Sequence, residues 1–171
     1  MPRTPRDAAL FLGGLWLSLT VLGPLFTPWA HAADPELARL ELELHRQVNQ
    51  YRSGERLIAL ERSKALDAVA RAHCEDMIRR GYFAHETPEG LNWVDRMHAA
   101  GIEGFTLAGE NVGQTNRRDP NHEILSNWQR SPDHHRNLVA RPYNTTGIGI
   151  ARAPDGRLFY AQLYATFPAA D

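Results

Sequence analysis

The segments GENVG (residues 109–113) and WQRSPDHHRNL (residues 128–138) are the most informative part of this sequence. The first places a single carboxylate, Glu110, between glycines after a short apolar run. The second contains a Ser-Pro pair typical of a helix start, which puts His134 in the first helical turn. A third stretch ends at His85, just before a predicted turn. Two imidazoles and a carboxylate at the ends of predicted elements favour a site assembled from three loops.

Hydrophobic periodicity predicts helices in the first part of the chain and strands mainly in the last part. The predicted helices run from a cap at Asp34 to Gly54, from a cap at Ser63 to Gly81, from Asn92 to Ala100, from Asp119 to Trp128, and onward from Ser131. The predicted strands are residues 105–108, 148–153 and 158–167. This order predicts an α+β fold in which helices cover a small antiparallel sheet.

The first 32 residues have the pattern of a signal peptide. Arg3 and Arg6 precede an apolar run over residues 10–26, and Ala30 and Ala32 supply a small-x-small cleavage site. The alternative is an uncleaved anchor, since the apolar run is almost long enough to span a bilayer. We therefore predict a signal peptide over residues 1–32, a single domain over residues 33–171, and a secreted or periplasmic location.

Composition limits the partners and the chemistry. The formal net charge of −1 gives no indication of a nucleic-acid or anionic membrane partner. Cys74 is the single cysteine, so no intrachain disulfide can form, and its place in an apolar helix stripe favours a buried structural thiol. His73 and His98 lie on predicted helices, and we expect them to be satisfied or solvated. His135 is expected at the surface.

Several motifs occur together in an order that resembles one family. These are FAH and PEG within residues 83–90, GEN at 109–111, the segment 128–138, GIG at 147–149, and Gln162. The chain resembles the CAP superfamily, the cysteine-rich secretory, antigen 5 and pathogenesis-related class, and specifically its compact bacterial branch. The resemblance runs from about residue 48 to residue 167. It implies a three-layer α–β–α sandwich formed by one CAP (SCP-like) domain.

The same resemblance implies a cavity lined by two histidines and two glutamates. By position these correspond to His85, Glu110, His134 and Ser131, so a serine stands where the fourth carboxylate is expected. The resemblance then implies a divalent metal such as zinc held by His85, His134 and Glu110. Three protein ligands leave an open position, whereas structural zinc has four, so we expect a weak site that is dispensable for folding.

Several functions remain open on the sequence alone. We favour a binding or interaction module with a groove for an extracytoplasmic lipid or peptide ligand, acting as a monomer without a membrane span after cleavage. The alternative is a metal-assisted hydrolase acting on peptide or cell-wall substrates. A third hypothesis is a defence-type effector that acts on another cell. The three polar side chains could also form only a buried network that orders the loops.

Overall fold

Five helices and four strands follow one another in the computed structural model, which describes residues 34–169. They are α1 (Pro35–Gly54), β1 (Glu61–Arg62), α2 (Lys64–Arg80), α3 (Trp93–Ala99), β2 (Leu107–Thr115), α4 (Pro120–Arg130), α5 (Pro132–Leu138), β3 (Thr145–Arg152) and β4 (Leu158–Thr166). The predicted signal peptide and its cleavage site lie outside the described residues and stay predictions. Within residues 34–169, no helix has both the length and the apolar character that crossing a membrane requires.

The helix ends follow the capping residues in the sequence. The Asp34 side chain accepts a hydrogen bond from the Glu36 N–H at 2.9 Å, and Pro35 occupies the first turn of α1. Ser63 caps α2 in the same way, and Gly81 ends it with a left-handed φ of 71°. The two longest predicted helices are therefore confirmed at both ends.

The sheet has the strand order β1-β3-β4-β2. Strands β3 and β4 pair antiparallel, as do β4 and β2, which gives the predicted antiparallel arrangement. The two-residue strand β1 adds a short parallel pairing with β3 that the sequence did not indicate, because two residues are too few to show a period. Strand β2 lies at one edge of the sheet, and this edge position matters for the site below.

Helices cover both faces of the sheet and make the three-layer α–β–α sandwich. Helices α2 and α3 pack on one face against alternate β4 residues such as Phe159 and Leu163. Helices α1, α4 and α5 pack on the other face, where Tyr160 and Tyr164 are fully buried. Because both faces are covered, β4 is buried along almost its whole length.

Two glycines of β3 allow α2 to lie directly on the sheet. A Cβ atom on Gly149 would come within 2.0 Å of the Arg71 amide nitrogen, and one on Gly147 within 2.3 Å of the Leu66 backbone. Cys74 lies at this contact, fully buried, with its Sγ 3.4 Å from the Gly149 carbonyl oxygen. This full burial confirms the predicted buried thiol, and it raises the pKa of the thiol.

A buried carboxylate on α1, Glu41, connects the two helical layers. Glu41 of α1 accepts hydrogen bonds from Arg71 Nη2 at 2.7 Å and from Arg62 Nη2 at 3.2 Å. It also accepts one from the Ile150 backbone N–H of β3 at 3.2 Å. All of these donors belong to the helices and strands that form the framework of the fold. Glu41 therefore fixes α1 against α2 and β3.

Candidate functional site

Glu110 lies in the middle of β2, opposite Leu163 of β4, and not in a loop. The prediction of a short strand over residues 105–108 that ends before GEN is therefore wrong. Gly109 and Gly113 resemble strand breaks in the sequence, but here they make room for neighbours. A Cβ atom on Gly109 would lie 2.4 Å from the Tyr143 hydroxyl, and one on Gly113 would lie 2.8 Å from Ile124 Cδ1.

The edge position of β2 explains how the candidate residues meet. His85 follows α2 in one helical layer, whereas His134 lies on α5 in the opposite layer. Beside the edge strand the two rings come together, with their centroids 6.1 Å apart. The structure thus brings His85, Glu110 and His134 together, although they come from a loop, a strand and a helix.

The Glu110 carboxylate is completely buried and accepts two charge-assisted hydrogen bonds. Arg96 Nη2 donates to Oε1 at 2.5 Å, and His85 Nδ1 lies 2.9 Å from Oε2. Because a carboxylate only accepts, the proton of this second bond belongs to His85 Nδ1. The other imidazole nitrogen, Nε2, is then the basic one, and the His85 side chain is 40% exposed.

Arg96 also fixes the loop that carries His85. Its Nη1 donates to the His85 carbonyl oxygen at 2.8 Å and to the Leu91 carbonyl oxygen at 3.0 Å. The ring of Trp93, in the same helix, meets the His85 ring edge-on, with centroids 6.0 Å apart. No role was predicted for Arg96 from the sequence, and only its place on the helix facing the GEN strand could have indicated one.

Two asparagines connect β2 to α5 and so position His134. Asn111 Nδ2 donates to the His134 carbonyl oxygen at 3.0 Å, and its Oδ1 accepts from Asn137 Nδ2 at 2.9 Å. Asn137 Nδ2 also donates to the Glu110 carbonyl oxygen at 3.0 Å. Both asparagines belong to the quoted motifs, but spacing alone did not indicate these contacts.

His134 occupies the first turn of α5, as predicted. Burial and the neighbouring His85 lower the pKa of its imidazole, while Asp133 acts in the opposite direction. The ring is therefore neutral at pH 7 and can bind a ligand or accept a hydrogen bond. Ser131 is the N-cap residue of this helix, and its hydroxyl makes no capping hydrogen bond.

The three-ligand metal centre of His85, His134 and Glu110 stays a prediction. Both Glu110 oxygens accept hydrogen bonds from Arg96 and His85, so an ion bound by this carboxylate would compete with these two donors. Within residues 34–169, no group of three or more His, Cys, Asp or Glu side chains is arranged to hold a metal. The other two members of the predicted ligand set are the imidazoles of His85 and His134, which lie side by side.

Three other histidines for which the sequence predicted an environment, His73, His98 and His135, have different surroundings. His135 is not a free surface residue, because its Nε2 lies 2.9 Å from the Tyr51 hydroxyl. His98 is exposed and pairs with Glu103 at 2.9 Å. His73 is buried, and only one of its ring nitrogens has a hydrogen-bond partner among the described residues.

Comparisons with known proteins agree with this fold. The family model described as "CAP: Cysteine-rich secretory protein family" matches residues 45–164. The uncharacterized protein YkwD of Bacillus subtilis is 28% identical over 131 residues, which is 77% of this chain and 49% of that protein. The chain thus spans about half the length of this curated relative.

Two solved structures are similar. An extracellular protein of Bacillus anthracis with an SCP domain has a TM-score of 0.66 and 27% identity over 75% of this chain and 41% of its own. An outer surface protein of Borrelia burgdorferi shares the fold with a TM-score of 0.69 at 18% identity, over 76% of this chain and 94% of its own.

Proposed function

Because the chain belongs to the cysteine-rich secretory protein (CAP) family, we propose that it is an extracellular or periplasmic binding module. Its site consists of the imidazoles of His85 and His134, which hold a divalent ion or a polar ligand beside the edge strand β2. The predicted leader and the extracellular relative from Bacillus anthracis support this location.

The proposal rests on the burial and hydrogen bonding of the Glu110 carboxylate. This carboxylate is buried and accepts hydrogen bonds from Arg96 and His85 through both oxygens. A general base must instead reach a water molecule or a substrate proton. Glu110 is placed to orient His85, in the manner of the carboxylates that support metal-binding histidines. This arrangement favours binding over the alternative of a metal-assisted hydrolase.

The two imidazoles are close enough to share a divalent ion such as zinc after a small movement. At Zn–N distances of about 2.0 Å, two rings on a tetrahedral ion have centroids about 5 Å apart, so the observed separation of 6.1 Å must shorten by about 1 Å on binding. A bound ion would supply positive charge for an anionic or carbonyl group of an extracytoplasmic peptide or lipid. With two protein ligands, we expect weak binding and no role in folding.

Calorimetric titration of the purified protein with Zn²⁺ tests the proposal. We expect His85→Ala and His134→Ala each to weaken Zn²⁺ binding at least about tenfold, since each removes one of two ligands. His98→Ala is the matched control, because His98 is exposed and lies in α3 outside the site. It should leave the affinity unchanged.

Two outcomes would contradict the proposal. Equal Zn²⁺ binding by wild type and the His85→Ala, His134→Ala double variant would place the ion elsewhere. Hydrolysis of peptide or cell-wall material by the wild type, lost in the double variant, would support the enzyme instead.

A further inference from the structure

A polar pocket of about 270 Å³ lies at the end of the sheet where β2 ends and β4 begins. Thr115 is opposite Leu158 in the β2–β4 pairing, and Arg152 is opposite the same leucine in the β3–β4 pairing. At a rise of about 3.4 Å per residue, Thr115 lies about 17 Å along β2 from Glu110, so the pocket is separate from the site around that carboxylate. We call it the arginine pocket, because four arginines line it: Arg39, Arg117, Arg118 and Arg152.

Two of these arginines already have a counter-charge. Arg152 Nη2 donates to Glu36 Oε2 at 2.7 Å, and it also lies 3.9 Å from Asp34 Oδ2. Arg39 Nη1 donates to Glu43 Oε2 at 3.1 Å. Of the described residues that line the pocket, Glu36 is the one with an acidic side chain. These ion pairs balance themselves and leave the charge of the pocket to the other two arginines.

The loop between β2 and α4 supplies two arginines without a partner. Arg117 and Arg118 are exposed, and no ion pair or hydrogen bond joins either side chain to another group within residues 34–169. The neighbouring Asp119 is not a lining residue, and its carboxylate accepts the His122 N–H at 3.4 Å as the cap of α4. The whole chain has a formal net charge of −1, so this positive pair is a local feature and does not reflect a basic protein.

Two neutral donors accompany the unpaired guanidinium groups. Thr115 and Asn116 directly precede Arg117 and line the same pocket. The Thr115 hydroxyl oxygen accepts the Arg117 backbone N–H at 3.1 Å, which leaves the hydroxyl proton available to donate. The Asn116 side chain is exposed, and its amide adds two N–H donors. Four consecutive residues thus bring hydrogen-bond donors and two unpaired positive charges to one pocket.

We propose that the arginine pocket binds the phosphate group of a phosphate monoester. Near neutral pH a monoester carries about 1.5 to 2 negative charges and three terminal oxygens that accept hydrogen bonds. This charge matches the two unpaired guanidinium groups, which bond phosphate oxygens in pairs. A carboxylate or a phosphodiester carries one negative charge on two such oxygens, so it satisfies fewer of these donors.

The size of the pocket agrees with a ligand of this kind. Sites for drug-sized molecules enclose roughly 300–1,000 Å³, and the arginine pocket, at about 270 Å³, is slightly smaller. It therefore admits the phosphate group and the part of the ester next to it, while the remainder of a larger ligand stays in solvent. This site is independent of the ion site proposed above.

Nuclear magnetic resonance titration in a metal-free and phosphate-free buffer tests the proposal, because no ion at the imidazole pair can then bind the anion. The probes are glycerol 3-phosphate, which is a monoester, the diester dimethyl phosphate, and acetate. We expect glycerol 3-phosphate to shift the amide signals of residues 115–118. It should bind at least about tenfold more tightly than the other two probes, since it gains a further charge-assisted hydrogen bond.

Three variants locate the binding. The double variant Arg117→Gln, Arg118→Gln should remain folded, because neither side chain is bonded, and should bind glycerol 3-phosphate at least about tenfold more weakly. The matched control Arg46→Gln, Arg141→Gln removes the same two charges at exposed positions outside the pocket and should keep the affinity. Glu36→Gln removes the acidic group from the wall and should raise the affinity at least about threefold.

Thermal unfolding checks that each variant is folded. Several results would overturn the proposal: no shift on addition of glycerol 3-phosphate, equal affinities for glycerol 3-phosphate and dimethyl phosphate, or unchanged binding in the Arg117→Gln, Arg118→Gln variant. An equal loss of binding in the control variant, or an affinity that does not rise in Glu36→Gln, would also overturn it.

Discussion

Glu41 and Glu110 are two buried carboxylates that the fold uses differently. Each pairs with arginine, but Glu41 contacts two arginines and a backbone N–H of β3, all within the framework. Glu110 contacts one arginine and one imidazole, and that imidazole has a solvent-exposed side. Glu41 anchors helices to the sheet, whereas Glu110 positions His85, a residue that can contact a ligand.

The comparison shows that burial of a charge does not by itself mark a functional group. The two carboxylates differ in the residues that donate hydrogen bonds to them. Around Glu41 every partner is a framework group, while around Glu110 the chain of contacts ends at His85, beside His134. Both networks reach the surface, so we infer function from the chemistry of the exposed partner: His85 is an imidazole beside a second imidazole, whereas Arg62 and Arg71 only pair with carboxylates.

The largest effect should come from neutralising Glu110. Glu110→Gln leaves the Arg96 guanidinium, only 11% exposed, without a counter-charge, and breaking such a buried pair costs about 3–5 kcal/mol. Glu41→Gln should cost less, about 1–3 kcal/mol, because Arg62 and Arg71 are partly exposed and can reach water. Urea unfolding of both variants measures the difference. A larger loss in Glu41→Gln would reverse the comparison.

A smaller effect should appear in the pH dependence of stability. The pKa of His73 is lowered in the folded protein, mainly by burial, from its ordinary value of 6.5. The unfolded chain then binds the proton more readily, so stability is present above about pH 6.5 and is lost as the pH falls through the folded pKa. His134 contributes in the same direction.

The variant His73→Gln separates these contributions. Its amide can still donate to the Ala84 carbonyl oxygen but does not titrate, so the loss of stability below pH 6.5 should become shallower than in wild type. Thermal unfolding between pH 7.5 and 5 measures the slope. An unchanged slope would show that His73 is not the group responsible.

The smallest effects concern two serine caps. Ser63 accepts a hydrogen bond from the Leu66 N–H at 3.3 Å, so Ser63→Ala should cost about 1 kcal/mol. Ser131 makes no such bond, and Ser131→Ala should change stability by no more than about 0.5 kcal/mol. Chemical denaturation of the two variants measures their free energies of unfolding and tests whether the Ser131 hydroxyl stabilises the fold. A loss at Ser131 equal to that at Ser63 would show that it does.

The sequence predicted the helices and strands that local capping residues and hydrophobic periodicity determine. The caps at Asp34 and Ser63 and the periodic apolar residues gave the long helices, and alternation in residues 158–167 gave β4. Strand β2 was misjudged at Gly109, because a glycine that admits a neighbouring side chain looks the same in sequence as one that ends a strand.

Other features depend on tertiary contacts that no local pattern contains. Glu41 and Arg96 lie on helices among other charged residues, and nothing in their spacing distinguishes a buried ion pair from a solvated one. The approach of His85 to His134 requires the edge position of β2, which only the strand order provides. The candidate residues were therefore predicted from their motifs and the family resemblance, whereas their individual roles follow only from the contacts.

The most direct test of the account follows the His85 Nδ1 proton by nuclear magnetic resonance during Zn²⁺ titration. If Glu110 supports His85 and the imidazoles bind the ion, the Nδ1–H signal persists at saturation, while the His85 Nε2 signal and a His134 ring-nitrogen signal shift. Loss of the Nδ1–H signal, together with a shift of the Glu110 carboxyl carbon, would show that Glu110 itself binds the ion and would contradict the account.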